Sequence, residues 1–168
     1  MYKRLPKRGF NNTKFAQPMT PINVGKIQDF IDMGRLILKK NEPITIKDVV
    51  ESGMLKANSI PFGIKLLGDG KDRVHSPINI EISRASSSAI EAIEAAGGCV
   101  TTVHYNKLAL RALLKPHTFQ IIPRRASPPP KLMPYYTSYE NRGYLSAEIQ
   151  RKKLLAKIDE ESEEKKDL

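Results

Sequence analysis

Segregation of charge is the sequence feature that most limits how this chain can fold. The first 20 residues contain five cations and no acid, and residues 106–130 again contain five cations and no acid. Residues 21–105 between them carry ten charges of each sign and are neutral. The basic segments are too rich in Pro and Gly to build a core, and like charges within them favour extended chain. We therefore predict a folded neutral middle flanked by basic segments.

The composition of the whole chain excludes several classes of protein. With 168 residues the chain can hold one domain plus tails. It contains no run near the roughly 18 apolar residues that a membrane-spanning helix needs, so we expect no membrane association. Its one cysteine, Cys99, can form neither an internal disulfide nor a four-thiolate metal site. A reducing compartment is therefore favoured.

Shifts in composition divide the chain into four segments. We predict an extended basic RNA-binding arm at residues 1–20, a globular domain at 21–105, a helical and Pro/Tyr-rich basic extension at 106–157, and an acidic, disordered tail at 158–168. In the extension, the helix that begins near Lys107 should stop at Pro116, and Pro128–Pro130 favours stiff, extended chain without internal hydrogen bonds.

Local patterns in the middle segment predict a mixed α/β fold of the α+β kind. We expect helices near 27–34 and 46–52, and strands at 63–67, 78–82 and 99–103. A third helix should begin at a capping box formed by Ser88 and Glu91 and end at Gly97. Gly68–Gly70 is interpreted as a hairpin turn.

The residues that most often carry chemistry form no recognisable catalytic set. His75, His104 and His117 match no zinc-ligand spacing, and Cys99 is interpreted as a small buried residue without a catalytic partner. We therefore predict no catalytic residue, metal site, cofactor or small-molecule substrate. An enzyme site around Cys99 and His104 stays as a weaker alternative.

The basic segments indicate a polyanionic partner. Because no amphipathic helix accompanies the N-terminal cations, nucleic acid is favoured over a membrane surface. Lysine supplies point charges and arginine supplies hydrogen-bonding forks for phosphates, while Phe10 and Phe15 can stack on unpaired bases. The predicted RNA-binding residues are Lys3, Arg4, Lys7, Arg8, Lys14, Lys107, Arg111, Lys115, Arg124 and Arg125.

Three stretches of this chain resemble a known family. YKRLPKRGFNN at 2–12, GIKLLGDG at 63–70 and SSSAIEAIEAAGG at 86–98 are similar to the signature stretches of bacterial-type large-subunit ribosomal protein fifteen. The extension, with LRALLKP, RRASPPPKLMPYYT and NRGYL, resembles the mitochondrial form. The resemblance implies a small domain of irregular β-β-α superhelical type. It also implies a structural constituent of the mitochondrial large ribosomal subunit, in contact with ribosomal RNA and neighbouring mitochondrial ribosomal proteins, whose first cations lie in an arm threaded into RNA.

Two questions stay open at the level of sequence. Members of the family carry a Gly- and Lys/Arg-rich segment before the RLPKRGF stretch, whereas Met1 stands almost directly before it here. Either this sequence lacks its beginning, or this form of the protein has lost that segment. Prolines in the first 28 residues interrupt the helix typical of a transit peptide, and we interpret these residues as mature protein. The alternative function is a non-ribosomal adaptor that binds protein grooves through the polyproline stretch and the acidic tail.

Overall fold

A computed structural model describes residues 2–4, 6–38 and 42–164, and these residues contain five short strands and six α-helices. The strands are β1 (Thr20–Asn23), β2 (Ile64–Leu67), β3 (Asn79–Ile82), β4 (Arg84–Ala85) and β5 (Cys99–Thr102). The helices are α1 (Val24–Asp32), α2 (Ile46–Glu51), α3 (Ser87–Ala95), α4 (Lys107–Leu114), α5 (Met133–Thr137) and α6 (Ala147–Glu164). The predicted mixed α/β class is confirmed. No helix in the described ranges is long and apolar enough to cross a membrane.

The strands of both sheets run parallel. One sheet has the order β1-β2-β4, and the other pairs β3 with β5. Strand β2, which ends just before Gly68, pairs in parallel with β1 and β4, while the next strand, β3, lies in the other sheet. A hairpin joins two antiparallel neighbours, so the interpretation of Gly68–Gly70 as a hairpin turn is wrong. The glycines there allow close approach instead: Gly70 has φ 76°, and a Cβ on it would lie 2.8 Å from the Cα of Gly25. The turn therefore rests against the first turn of α1.

The core is formed mainly by isoleucine, in positions that follow the local patterns. Ile80 and Ile82 of β3 are buried while Asn79 is exposed, as alternation along a strand predicts. Helix α2 begins at a capping box formed by Thr45 and Asp48. The Thr45 side chain accepts a hydrogen bond from the backbone N–H of Asp48, and the Asp48 side chain accepts one from the backbone N–H of Thr45. These elements lie where the sequence patterns predict them, to within a few residues.

Two predictions about α3 and β5 are wrong. Helix α3 begins two residues earlier than expected, with Ser86 in place of Ser88 as the N-cap. No side chain caps the helix, so Ser88 and Glu91 form no capping box. The Ser88 side chain lies beside Gly68 instead, where a Cβ would not fit. Cys99 is exposed rather than buried, because alternation along β5 turns Val100 and Thr102 inward.

The folded body continues past the predicted boundary at Tyr105. Helix α4 packs against α2, and its Leu110 belongs to the hydrophobic core. Tyr136 of α5 is only 1% exposed and donates a hydrogen bond from its hydroxyl to the carbonyl oxygen of Ser83 at 3.1 Å. Gly143 forms a parallel β-bridge with Thr102. The extension is therefore part of the fold.

Helix α6 differs from the sequence-based expectation at its end. We predicted a disordered tail from residue 158, whereas the helical backbone continues through Glu164; residues 165–168 lie outside the described ranges. The apolar residues of α6 lie on two sides, as predicted: Ile149 is buried, and Leu154 and Leu155 are exposed. Residues 147–164 contain no Gly or Pro and consist mostly of strong helix formers, which favours the continued helix.

Candidate nucleic-acid interface

The N-terminal arm (residues 1–20) presents its cations to solvent. Every described residue from Lys3 to Pro18 is exposed, and none of the five arm cations forms an ion pair within the part of the chain that the structure describes. Phe10 and Phe15 are 86% and 80% exposed, which is unusual for large apolar side chains. The arm therefore offers unneutralised charge and aromatic faces together.

A second row of cations follows one face of α4. Lys107, Arg111 and Lys115 recur every four residues. Lys107 and Arg111 are separated by roughly 6 Å along the helix, and Lys115 follows directly after the helix end. The opposite face is buried through Leu110 and its neighbours, and the Asn106 side chain caps the helix by accepting a hydrogen bond from the Ala109 N–H at 2.7 Å. Packing and capping therefore fix the direction in which these cations point.

The α4 cations line a groove of about 420 Å³ against residues 57–61. The Lys107 ammonium lies 5.7 Å from the centre of the Phe62 ring, and the Arg111 guanidinium lies 5.8 Å from that of Phe119. Such cation–π contacts position the side chains without removing their charge. No carboxylate in the described ranges pairs with either residue, so the groove is electropositive.

The two adjacent arginines of the extension have different surroundings. Arg124 is exposed and has no ion-pair partner among the described residues. The guanidinium of Arg125 lies 2.9 Å from Glu81 and 5.2 Å from the centre of the Tyr105 ring. Glu81 also accepts a hydrogen bond from the Tyr105 hydroxyl at 2.6 Å; burial and this carboxylate together raise the pKa of Tyr105. Arg125, one of the ten predicted RNA-binding residues, therefore holds the extension against β3 through its ion pair with Glu81.

A related contact, which the sequence analysis missed, lies further along the extension. Arg142 donates two hydrogen bonds to the Glu94 carboxylate, one of them at 2.8 Å, and its guanidinium lies 4.2 Å from the centre of the Tyr139 ring. These hydrogen bonds lower the pKa of Glu94. The two residues are 48 positions apart, so no local pattern links them.

The remaining titratable residues form no metal-binding cluster in the described part of the chain. There, no three His, Cys, Asp or Glu side chains converge as metal ligands. His75 lies 3.4 Å from Asp32, while His117 lines the α4 groove and His104 lies near Tyr136. The three histidines therefore occupy three separate environments, and the cationic surfaces are the strongest candidate site.

Comparison with known families identifies the domain that lies between the N-terminal arm and α4. A family model described as ribosomal proteins 50S-L15 and 50S-L18e, together with their 60S counterpart, matches residues 21–101. That range contains all five strands except the first residue of β1 and the last residue of β5. Residues 21–101, just under half of the chain, are therefore similar to this ribosomal family. The predicted resemblance to ribosomal protein fifteen is confirmed.

Individual relatives extend the likeness beyond the domain. The chain is 38% identical over 168 residues to a Neurospora crassa protein named large ribosomal subunit protein uL15m, covering 85% of this chain and 53% of that protein. It is 35% identical over 152 residues to the Danio rerio protein of the same name, covering 86% and 51%. A Methylobacterium radiotolerans protein, named large ribosomal subunit protein uL15, is 40% identical over 104 residues, or 62% of this chain and 58% of that protein. The chain thus spans about half the length of these relatives.

Proposed function

We propose that this chain is a structural constituent of the mitochondrial large ribosomal subunit, placed in the matrix, where it binds and stabilises large-subunit ribosomal RNA. The observation that carries the proposal is the set of nine predicted cations that are exposed and lack a carboxylate partner among the described residues. Two uL15m relatives that align over 85–86% of the chain support the mitochondrial assignment.

The arm and the α4 groove would act by neutralising phosphates. Where RNA helices approach one another, their phosphates repel, and cations placed between them reduce that repulsion. Exposed Phe10 and Phe15 would stack on unpaired bases or fill crevices between helices. Such contacts read the shape and backbone of RNA more than its sequence.

The partners of the proposed function are ribosomal RNA and neighbouring mitochondrial ribosomal proteins, without a membrane, a cofactor or a small-molecule substrate. The structure disfavours the adaptor alternative, because Pro128 of the polyproline stretch is buried against the body of this chain. The polyproline stretch would have to detach from its own domain before a groove on another protein could bind it. A structural role in a ribosomal family likewise gives no reason to propose an enzyme.

The salt dependence of RNA binding tests this proposal. If the nine cations contact phosphates, the logarithm of the affinity for a large-subunit RNA transcript should fall with the logarithm of salt concentration with a slope on the order of −6 to −8. Replacing Lys3, Arg4, Lys7 and Arg8 with Ala should make that slope shallower by about 3.

A matched control removes four exposed cations from the neutral middle. Replacing Lys26, Lys56, Lys65 and Lys71 with Ala changes the net charge by the same amount but leaves the arm and the α4 row intact. We expect this variant to keep most of the wild-type slope. Equal slopes for the wild type and the arm variant would refute the arm as an RNA contact.

A further inference from the structure

A cavity of about 440 Å³ lies where the N-terminal arm, the start of α4 and the extension meet. We call it the junction pocket. Gln17 and Met19 of the arm line one side, Phe62 and His104 line another, and residues 126–136 of the extension close it. Three segments distant in sequence therefore build it, and two of them carry the unpaired cations.

The walls of the junction pocket include aromatic rings that the fold already holds in place. Tyr136 is fixed by the hydrogen bond from its hydroxyl to the Ser83 carbonyl oxygen, and Tyr105 by the hydrogen bond from its hydroxyl to Glu81. Phe62 adds a third ring, next to the Lys107 ammonium. Phe62 and Tyr105 are partly exposed, and rings that are immobile before binding lose little conformational entropy when a flat ligand stacks on them. Tyr136, which is 1% exposed, belongs to the buried wall and offers no free face.

Polar groups of the pocket are free for a ligand. His104 makes no hydrogen bond to any residue that the structure describes, and burial together with the nearby Arg84 lowers its pKa. A neutral imidazole offers one donor and one acceptor. Asn106 uses its oxygen to cap α4, and its NH₂ group has no acceptor in the described part of the chain. A donor and an acceptor beside aromatic walls match the edge of a nucleobase.

The pocket is continuous with the proposed phosphate-binding row. Lys107 lines both the junction pocket and the α4 groove, and Arg111 and Lys115 follow it along the groove. An RNA strand with phosphates on this row would therefore pass the pocket mouth at Lys107. Few alternative ligands combine a polyanionic backbone with a flat ring that carries donors and acceptors.

We infer that the junction pocket binds one unpaired nucleobase of the RNA, with its backbone held by Lys107 and the cations that follow on α4. This inference rests on the proposed function and adds to it a base-binding site. Stacking on aromatic side chains is tolerant of base identity, so the pocket should favour an unpaired purine or pyrimidine over paired RNA.

Histidine NMR on the full chain tests the pocket directly with adenosine 5′-monophosphate and ribose 5-phosphate as probes. Adenosine 5′-monophosphate should shift the ring resonances of His104, whereas ribose 5-phosphate, which lacks the base, should leave them in place. His117 reports phosphate in the α4 groove, and His75, which lies beside Asp32, reports non-specific change. If both probes leave His104 unmoved, or move it equally, the base pocket is refuted.

A pocket-filling substitution tests the same inference with RNA. Ala126→Trp should occupy the junction pocket and lower affinity for a single-stranded large-subunit RNA fragment by about tenfold, with the salt slope unchanged. Ala147→Trp, at an exposed position at the start of α6, is the matched control and should bind like the wild type. Circular dichroism verifies that both variants fold.

The outcomes separate the two proposals. Wild-type affinity in Ala126→Trp would overturn the base pocket and leave the phosphate contacts standing. A wild-type chain that binds no RNA, or that binds it with no dependence on salt, would overturn the proposed function and the pocket with it. A tenfold loss with an unchanged slope supports the pocket, because removing a phosphate contact would have made the slope shallower.

Discussion

The N-terminal arm and the C-terminal extension are both basic and rich in proline, yet they relate to the domain in opposite ways. Every described residue from 6 to 18 is exposed, whereas the extension buries Leu110, Tyr136 and Ile149. The exposed stretch of the arm has no large apolar residue that reaches the core. The extension instead contributes large aromatic and aliphatic side chains that are buried in the folded body.

The cations of the two regions differ in the same way. In the extension, Arg125 pairs with Glu81 and Arg142 pairs with Glu94. Among the described residues, no carboxylate forms an ion pair with a cation of the arm. A cation bound by a carboxylate at 2.9 Å has to give up that partner before it can neutralise a phosphate. A count of basic residues therefore overstates the charge available to RNA in the extension.

Two deletions give the largest expected contrast between these regions. Removing residues 106–168 should leave the domain unfolded, because the deletion exposes the part of the core that Leu110 and Tyr136 cover. Each large side chain lost should lower the free energy of unfolding by about 2–5 kcal/mol. Removing residues 2–18 should leave the midpoint of urea unfolding unchanged. A truncated chain 1–105 with native circular dichroism and cooperative unfolding would contradict the comparison.

Substitution of Tyr136 sharpens the contrast at a single position. Tyr136→Ala should lower the free energy of unfolding by about 3–5 kcal/mol, because it leaves a cavity in the core. Tyr136→Phe removes only the hydrogen bond to Ser83 and should cost about 1 kcal/mol. Phe15→Ala in the arm should stay within about 0.5 kcal/mol of the wild type. Equal costs for Tyr136→Ala and Phe15→Ala in chemical denaturation would be incompatible with a packed extension.

Arg124 and Arg125 allow the same comparison between neighbours of identical charge. Arg125→Ala should destabilise the fold by about 1 kcal/mol, since it removes a partly exposed ion pair and a stacking contact. Arg124→Ala should leave stability unchanged and make the salt slope of RNA binding shallower by about 1. Denaturation and RNA titration on both variants check this, and identical behaviour of the two would disprove the assignment of different roles.

The smallest effect concerns the pH dependence of the contact between Glu94 and Arg142. Because Arg142 lowers the pKa of Glu94 in the folded state, the stabilisation is complete well above the unfolded value of 4.5 and is lost as the pH falls through the lower folded value. Glu94→Gln should cost about 1 kcal/mol at pH 7, and the gap to the wild type should close on acidification. Urea unfolding at a series of pH values measures this gap; a gap independent of pH would contradict the contact.

Local patterns were sufficient for most elements of the fold. Alternation of Ile78, Ile80 and Ile82 indicated β3, and the change to helical spacing at Lys107 with Pro116 beyond it indicated α4. Strand direction was not predictable in this way, because a turn with glycines is compatible with either a hairpin or a crossover. The exposure of Cys99 similarly depends on which face of β5 meets α3.

The candidate site was predictable in part for a related reason. Exposed, acid-free cations such as Lys7 and Arg111 are visible as runs in the sequence. The ion pair of Arg125 joins residues 44 positions apart, and the junction pocket joins three segments, so both depend on tertiary packing. The sequence therefore indicated where the positive charge lies, and the fold determines which of these cations lack a carboxylate partner.

Hydrogen exchange of backbone amides, with and without a large-subunit RNA transcript, tests most directly whether the arm is shaped by RNA and the extension by the domain. In the free chain, amides of residues 6–18 should exchange as fast as unfolded chain, and those of Tyr144 and Leu145, which donate to the carbonyl oxygens of Thr102 and Tyr136, should be protected. Adding RNA should slow exchange in the arm and leave that of the extension unchanged. Slow exchange of the arm in the free chain, or fast exchange that RNA does not alter, would contradict the account.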